Sequence, residues 1–224
     1  MRNIISLLFL FAVGCSMEAF AQDPGTGRPP MSPPIQPEFQ IGINKLLFQN
    51  ILIKPLDKGH RFDFFNITYF DSHFNEEDKP FNEGLIQSYV AYNFVKGVGI
   101  GVGGTYNSFT GVSPNLVGQF VNAGRSHLIV FFVAAHLKST PSYEAFTQIQ
   151  FRPALSENIR LFTQLMALTN WTRLEVHSRS FQQFRLGLDV KNYQFGFGAD
   201  FDQYGPIRQS KTNLGLFIRT EIFN

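Results

Sequence analysis

The chain has 224 residues, a length that suits one domain or at most two small ones. Its 19 Lys and Arg against 17 Asp and Glu leave a net charge of +2, too little for a nucleic-acid partner or a polybasic membrane-surface binder. Charged residues are only 16% of the chain and Phe alone accounts for 26, yet the mean hydropathy of -0.05 is too polar for a bundle of membrane helices.

Met1 to Ala21 has the organisation of a secretory signal peptide: Arg2 at the start, an apolar stretch Ile4 to Gly14, and Ala19-Phe20-Ala21 as a small-x-small cleavage site. The apolar stretch falls short of the roughly 20 residues a membrane helix needs. A rival reading makes Ala12-Val13-Gly14-Cys15 a lipoprotein box with Cys15 acylated. Cys15 is the only cysteine, so the rest of the chain has neither disulfides nor thiolate chemistry. Residues 22–38, with Pro24, Pro29, Pro30, Pro33, Pro34 and Pro37, form an extended Pro-rich periplasmic linker.

From about Phe39 to the end, apolar and polar residues alternate. Ile86, Val90, Tyr92 and Phe94 oppose Gln87, Tyr89, Ala91 and Asn93; Ile100, Val102 and Tyr106 oppose Gly99, Gly101 and Gly103. Ala145, Thr147, Ile149 and Phe151 oppose Glu144, Gln148, Gln150 and Arg152, and the pattern recurs around 158–167, 183–191, 194–202 and 214–222. This is a strand period. Turn signals separate the runs at 55–59, 96–97, 123–126, 191–192 and 204–206. Residues 39–224 therefore read as an antiparallel meander of ten to twelve strands.

Alternation alone leaves open which face is inside. More than about eight strands enclose an interior that side chains cannot fill, which argues against an apolar lumen and for an apolar face turned to lipid. Aromatic residues near the strand ends (Tyr69, Phe70, Tyr106, Phe109, Tyr143, Trp171, Phe181, Tyr193, Tyr204) suit interfacial girdles, and the chain ends on Ile222-Phe223-Asn224, close to an aromatic-ended closing strand. The expected fold is an all-β, antiparallel transmembrane β-barrel of the outer-membrane type, with twelve strands favoured and ten as the alternative.

If the polar segment Ser72 to Gly84 is an outer loop, gaps at 109–115, 138–142, about 169–182 and 203–211 share its side, and tight turns at 57–59, 96–97, 123–126, 153–157 and 191–192 take the other. That scheme needs Ile35 to Ile43 as a separate first strand. The alternative splits 171–190 into two strands. Leu128 to Leu137 is apolar on both faces apart from His136, which suits packing against a plug or a neighbouring chain.

Three motifs bear on chemistry. Gly99-Ile100-Gly101-Val102-Gly103-Gly104 matches G-x-G-x-x-G, but strand alternation continues after it where dinucleotide binding needs a helix. The acidic loop 71–78 lacks calcium-loop spacing, so neither a metal nor any other cofactor is expected. His127 beside Ser126 and His177 beside Ser178 are neighbours on strands and point to opposite faces, so no catalytic residue is assigned and no enzyme is expected.

The lumen-lining candidates are Arg152, Arg160, Arg173, Glu175, His177, Arg179, Arg185, Asp189, Arg219 and Glu221. Such a wall either guides an anion through Arg forks or closes the interior by pairing its charges. On these patterns residues 39–224 resemble the small monomeric outer-membrane barrels of Gram-negative bacteria, such as nucleoside and acidic-sugar channels. The resemblance implies outer-membrane lipid as surroundings and passive, porin-like transport of small polar or anionic solutes. The alternative is a sealed structural barrel that anchors or caps a protein partner through the arm 22–38 or the strand 128–137.

Overall fold

In the computed structural model, which describes residues 33–124 and 126–222, the alternation becomes twelve antiparallel strands. They are β1 (Glu38–Gly42), β2 (Lys45–Pro55), β3 (Phe62–His73), β4 (Gly84–Val95), β5 (Val98–Asn107), β6 (Gly111–Ala123), β7 (His127–His136), β8 (Ser142–Phe151), β9 (Ile159–Thr172), β10 (Val176–Val190), β11 (Tyr193–Tyr204) and β12 (Gln209–Thr220). Each pairs with its chain neighbours, and β1 pairs with β12 to close the barrel. The expected signal peptide, its lipid-modified alternative at Cys15, most of the linker, and Phe223 and Asn224 lie outside the described residues.

The separate first strand that the sidedness scheme needs over Ile35 to Ile43 forms as β1. Closure sets Glu38 opposite Arg219 and Gly42 opposite Gly215, and a bridge joins Ile35 to Ile222. Without β1, the outer edge of β12 would carry unpaired backbone groups in lipid; its pairing with Glu38–Gly42 closes the wall. β10 runs unbroken from Val176 to Val190, so no second strand is carved from 171–190. The expected sidedness of the connections is what forms. The gap expected at about 169–182 shrinks to 173–175, because β9 and β10 extend to 14 and 15 residues.

The outward face is greasy. Ile100, Val102, Phe197 and Leu216 are all exposed, Phe197 by 72%, and a belt of that kind is satisfied only by hydrocarbon. The chain is an outer-membrane-type transmembrane β-barrel. Phe70, Tyr106, Phe109, Tyr143 and Tyr193 are exposed as girdle residues should be. Tyr69, Phe181 and Tyr204 instead turn inward, Tyr69 stacking on Phe181 at 6.0 Å.

Glycines on the inward face mark two tight bends. A Cβ at Gly103 in β5 would lie 2.0 Å from the Ser88 carbonyl oxygen, and one at Gly215 in β12 would lie 2.1 Å from that of Ile41. Only glycine allows the neighbouring strand to come so close. The bends fall on nearly opposite sides of the strand order, so the walls between them can meet across the interior.

Candidate functional site: the barrel interior

Where the walls meet, the interior divides into an apolar and a polar part. Phe132 of β7 packs against Phe65 of β3 at 5.5 Å, Tyr89 of β4 at 5.9 Å and Phe146 of β8 at 4.8 Å between ring centroids. Ile67, Val117, Val130, Met166 and Leu168 belong to the same cluster. The expectation that an outer-membrane barrel of this size keeps a wholly polar lumen is corrected here. It also explains Leu128–Leu137: the strand's outer face meets lipid and its inner face meets Phe65, Tyr89 and Phe146, so neither a plug nor a second chain is needed to cover it.

The polar part runs along β1 and β10–β12, with contributions from β2, β3 and β8, as three charged groups stacked between the two ends. Near the long loops, Lys45 Nζ donates to Asp71 Oδ2 at 2.9 Å and to Asp202 Oδ2 at 2.8 Å, while Arg179 pairs with Asp202 at 2.9 Å and with Glu83. Midway, Arg185 bridges Glu38 and Asp200, both at 2.8 Å, and Arg219 pairs with Glu38. Towards the short turns, Arg152 pairs with Glu221 at 2.5 Å and lies 3.8 Å from Asp189. There Gln36 Nε2 donates to Glu221 at 3.1 Å, and Gln150 Nε2 of β8 reaches across to Gln36 Oε1 at 2.9 Å.

Pairing does not satisfy everything. Gln40, Gln87 and Gln183 are each 0% exposed, and neither the nitrogen nor the oxygen of any of the three amides finds a protein partner. A dry amide of this kind costs about 1–3 kcal/mol. Polar groups of this density are stable beside water or a polar solute.

The charge balance is acidic. Buried bases are Lys45, Arg152, Arg179, Arg185 and Arg219; buried acids are Glu38, Asp63, Asp71, Glu83, Glu144, Asp189, Asp200, Asp202 and Glu221. The sequence candidates divide accordingly. Arg152, Arg179, Arg185, Asp189, Arg219 and Glu221 line the lumen together. Arg160 is exposed at the short-turn mouth, and Arg173 and Glu175 are exposed in the 173–175 turn, because β9 and β10 end there and the rim continues in solvent. His177 also leaves the lumen wall: it pairs in register with Trp171, on the outward side of β9, and a bulge between His177 and Arg179 resets the alternation.

Sequence reasoning missed Glu38, hidden behind the Pro-rich run, and Lys45, whose partners lie 26 and 157 residues away. The G-x-G-x-x-G run lies within β5 and leads into β6. The acidic loop is split, Asp71 turning inward to Lys45 while Asp78 meets Lys211 at 2.5 Å. No cluster of three potential metal ligands occurs among the described residues.

No family model and no curated protein matches the chain. Among solved structures it is similar to a NanC porin, with 7% identity over 85% of this chain and 98% of that one and a TM-score of 0.48. It is also similar to a KdgM porin, with 10% identity over 83% and 97% and a TM-score of 0.46. A third is a bacterial polysaccharide outer membrane secretin, at 9% identity over 85% and 97% with a TM-score of 0.41.

Proposed function

We propose that the protein is a narrow passive channel for small polar solutes, with its path along the polar seam of β1 and β10–β12. The observation that carries this reading is the pair of unpartnered buried amides on the seam itself, Gln40 of β1 and Gln183 of β10. Such groups favour a hydrated path over a packed core. The excess of buried carboxylates over bases makes the seam friendlier to cations and neutral solutes than to anions, which turns the anionic expectation around. Lys45, Arg185 and Arg152 each bridge two carboxylates along this seam.

A second reading, the sealed structural barrel, is favoured by the aromatic contacts between facing walls, Phe65 with Phe132 and Phe162 with Phe217 at 5.7 Å. Planar-bilayer recording of the folded full-length protein separates the two. The channel reading expects small, cation-preferring openings. A folded barrel that never conducts overturns it in favour of the sealed barrel, and an anion-preferring reversal potential overturns the charge argument.

A further inference from the structure

The rim of the barrel steps down where the chain closes on itself. β1 has only 5 residues and turns into β2 through residues 43–44. β12 therefore pairs with it only from Gly215 to Arg219, although its pairing with β11 runs on to Gln209. Asn44 Nδ2 donates to the Thr212 carbonyl at 2.7 Å, and above that bond the edge of β12 meets no further strand among the described residues. Lys211 stands four positions beyond Gly215, about 13 Å higher along the strand. The step opens onto the outermost charged group of the polar seam: Lys45 begins β2 beside the hairpin, and its partner Asp202 is opposite Lys211 in register.

The β3–β4 connection covers this step. It sets out from the hairpin side, where the Phe74 amide donates to the Asn44 carbonyl at 3.0 Å, and forms a short 3-10 helix at Glu76–Phe81. It then reaches three strands on the far side. Asp78 Oδ1 accepts from Lys211 Nζ of β12 at 2.5 Å, and Phe81 packs on Tyr204 of β11 with ring centroids 4.9 Å apart. Glu83 pairs with Arg179 of β10, whose guanidinium lies 4.6 Å from the centre of the same Tyr204 ring. Lys211 also sits 5.0 Å from the centre of the Phe81 ring, so one lysine holds both the carboxylate and the aromatic of the connection. Lys211 and Tyr204 face the same way as Asp202, into the barrel. The connection therefore lies over the lumen.

Its roots and its middle are held differently. At the roots, the Asp71 amide donates to the Glu83 carbonyl at 3.0 Å, the Glu83 amide to Asp71 Oδ1 at 2.6 Å, and the His73 amide to Asn82 Oδ1 at 2.8 Å. The helix in the middle has no buried residue, and its ion pair to β12 joins side chains that keep 24% and 19% of their exposure. A partly hydrated ion pair is weak and is screened by salt. A segment with so few buried contacts opens locally before the sheet beneath it does.

We propose that residues 74–83 form a strap that gates entry to the polar seam, with Asp78 and Lys211 as its latch and the step above the β1–β2 hairpin as the entrance it covers. The inference rests on the channel reading, and adds where a solute enters and what admits it. With the strap down, Phe81 lies on Tyr204 at the mouth and Lys211 is tied to Asp78. With the strap raised, Lys211 returns to water, and the mouth presents Asp71, Glu83 and Asp202 against Lys45 and Arg179. That acidic excess draws cations towards the opening.

The test uses the full-length chain with Cys15→Ser, which removes its only cysteine, and folding is checked by heat-modifiable gel mobility. In the first arm, Asp78→Cys and Lys211→Cys are joined by a short bis-methanethiosulfonate linker and released by reductant during planar-bilayer recording. The current should fall on linking and return on release. Equal currents in the two states overturn the inference, as does failure of the pair to link in the folded barrel. The second arm needs no conduction. Gln183→Cys stands on the seam beneath the strap, at a buried amide without a protein partner, and its labelling by a charged, water-soluble methanethiosulfonate is timed. Lys211→Ala should speed that labelling severalfold. Lys138→Ala, which removes a 2.8 Å bond to Thr110 between two other loops of the rim, should leave it unchanged. A folded barrel that never conducts but labels faster without Lys211 keeps the strap and loses the channel reading. Labelling that Lys211→Ala does not change, or that Lys138→Ala speeds equally, overturns the strap.

Discussion

Arg185 Nε donates to Glu38 Oε1 at 2.8 Å and so ties β10 to the first strand across the barrel closure. Glu38 also holds Arg219 of β12, while Arg185 keeps a second carboxylate in Asp200 at 2.8 Å. Glu38→Ala leaves Arg219 buried without its partner, which should cost about 3 kcal/mol or more of stability. Glu38→Gln keeps the size and an acceptor oxygen and should cost less. Equilibrium unfolding in guanidinium from lipid vesicles measures both; two variants within about 0.5 kcal/mol of the native protein would show that the pairs do not hold the closure.

The bend in β5 yields a comparison within one dipeptide. A Cβ at Gly103 meets Tyr89 Cα at 2.6 Å as well as the Ser88 oxygen, whereas one at Gly104 meets nothing nearer than the Ser113 oxygen at 3.6 Å. Gly103→Ala should destabilise the barrel by about 1–3 kcal/mol, the usual range for overpacking. Gly104→Ala should stay within about 0.5 kcal/mol. Equal effects in unfolding experiments would remove the steric account of the bend.

Alternation made most strands and their lipid face legible: Ile100 and Val102 against Gly101 and Gly103, or Phe195 and Phe197 against Gln194, point as their period says. What it left hidden depends on long-range geometry. Glu38 follows a proline run, and only the closure with Arg219 reveals it as lumenal. The inner face of β7 is apolar because Phe65 and Tyr89 happen to face it, a contact between strands far apart in sequence. The outward turn of His177 was invisible for a local reason: the bulge between His177 and Arg179 inverts the alternation that had put both on one face.

Outside the membrane, the β2–β3 turn is organised by Asp57, whose Oδ1 accepts from the Phe62 amide at 2.7 Å and Oδ2 from the Gly59 amide at 3.0 Å. These bonds, that from Phe62 foremost, hold the carboxyl below the usual carboxylate range. A depressed folded-state pKa stabilises the turn above the group's ordinary value, and the benefit disappears as pH falls through the folded one. After correction for intrinsic exchange, protection of the Phe62 amide should therefore fall in acid. Asp57→Asn, which keeps an acceptor oxygen without the titration, should flatten that dependence. An unchanged acid profile in Asp57→Asn would assign it to another group.

Phe132 links the stability of the interior to its conductance. Its ring is fully buried between Phe146, stacked at 4.8 Å, and the rings of Phe65 and Tyr89 across the lumen. Phe132→Ala removes the contacts that hold the facing walls together and should cost about 3–5 kcal/mol. If those contacts also narrow the path beside the polar seam, the folded variant should pass larger single-channel currents than the native protein while keeping its preference for cations, since no charged group changes. Phe132→Leu, which keeps much of the volume, should fall between the two in both measurements. Larger currents with the same ion preference would make the aromatic cluster the constriction; unchanged currents from a folded, destabilised Phe132→Ala barrel would confine its role to packing.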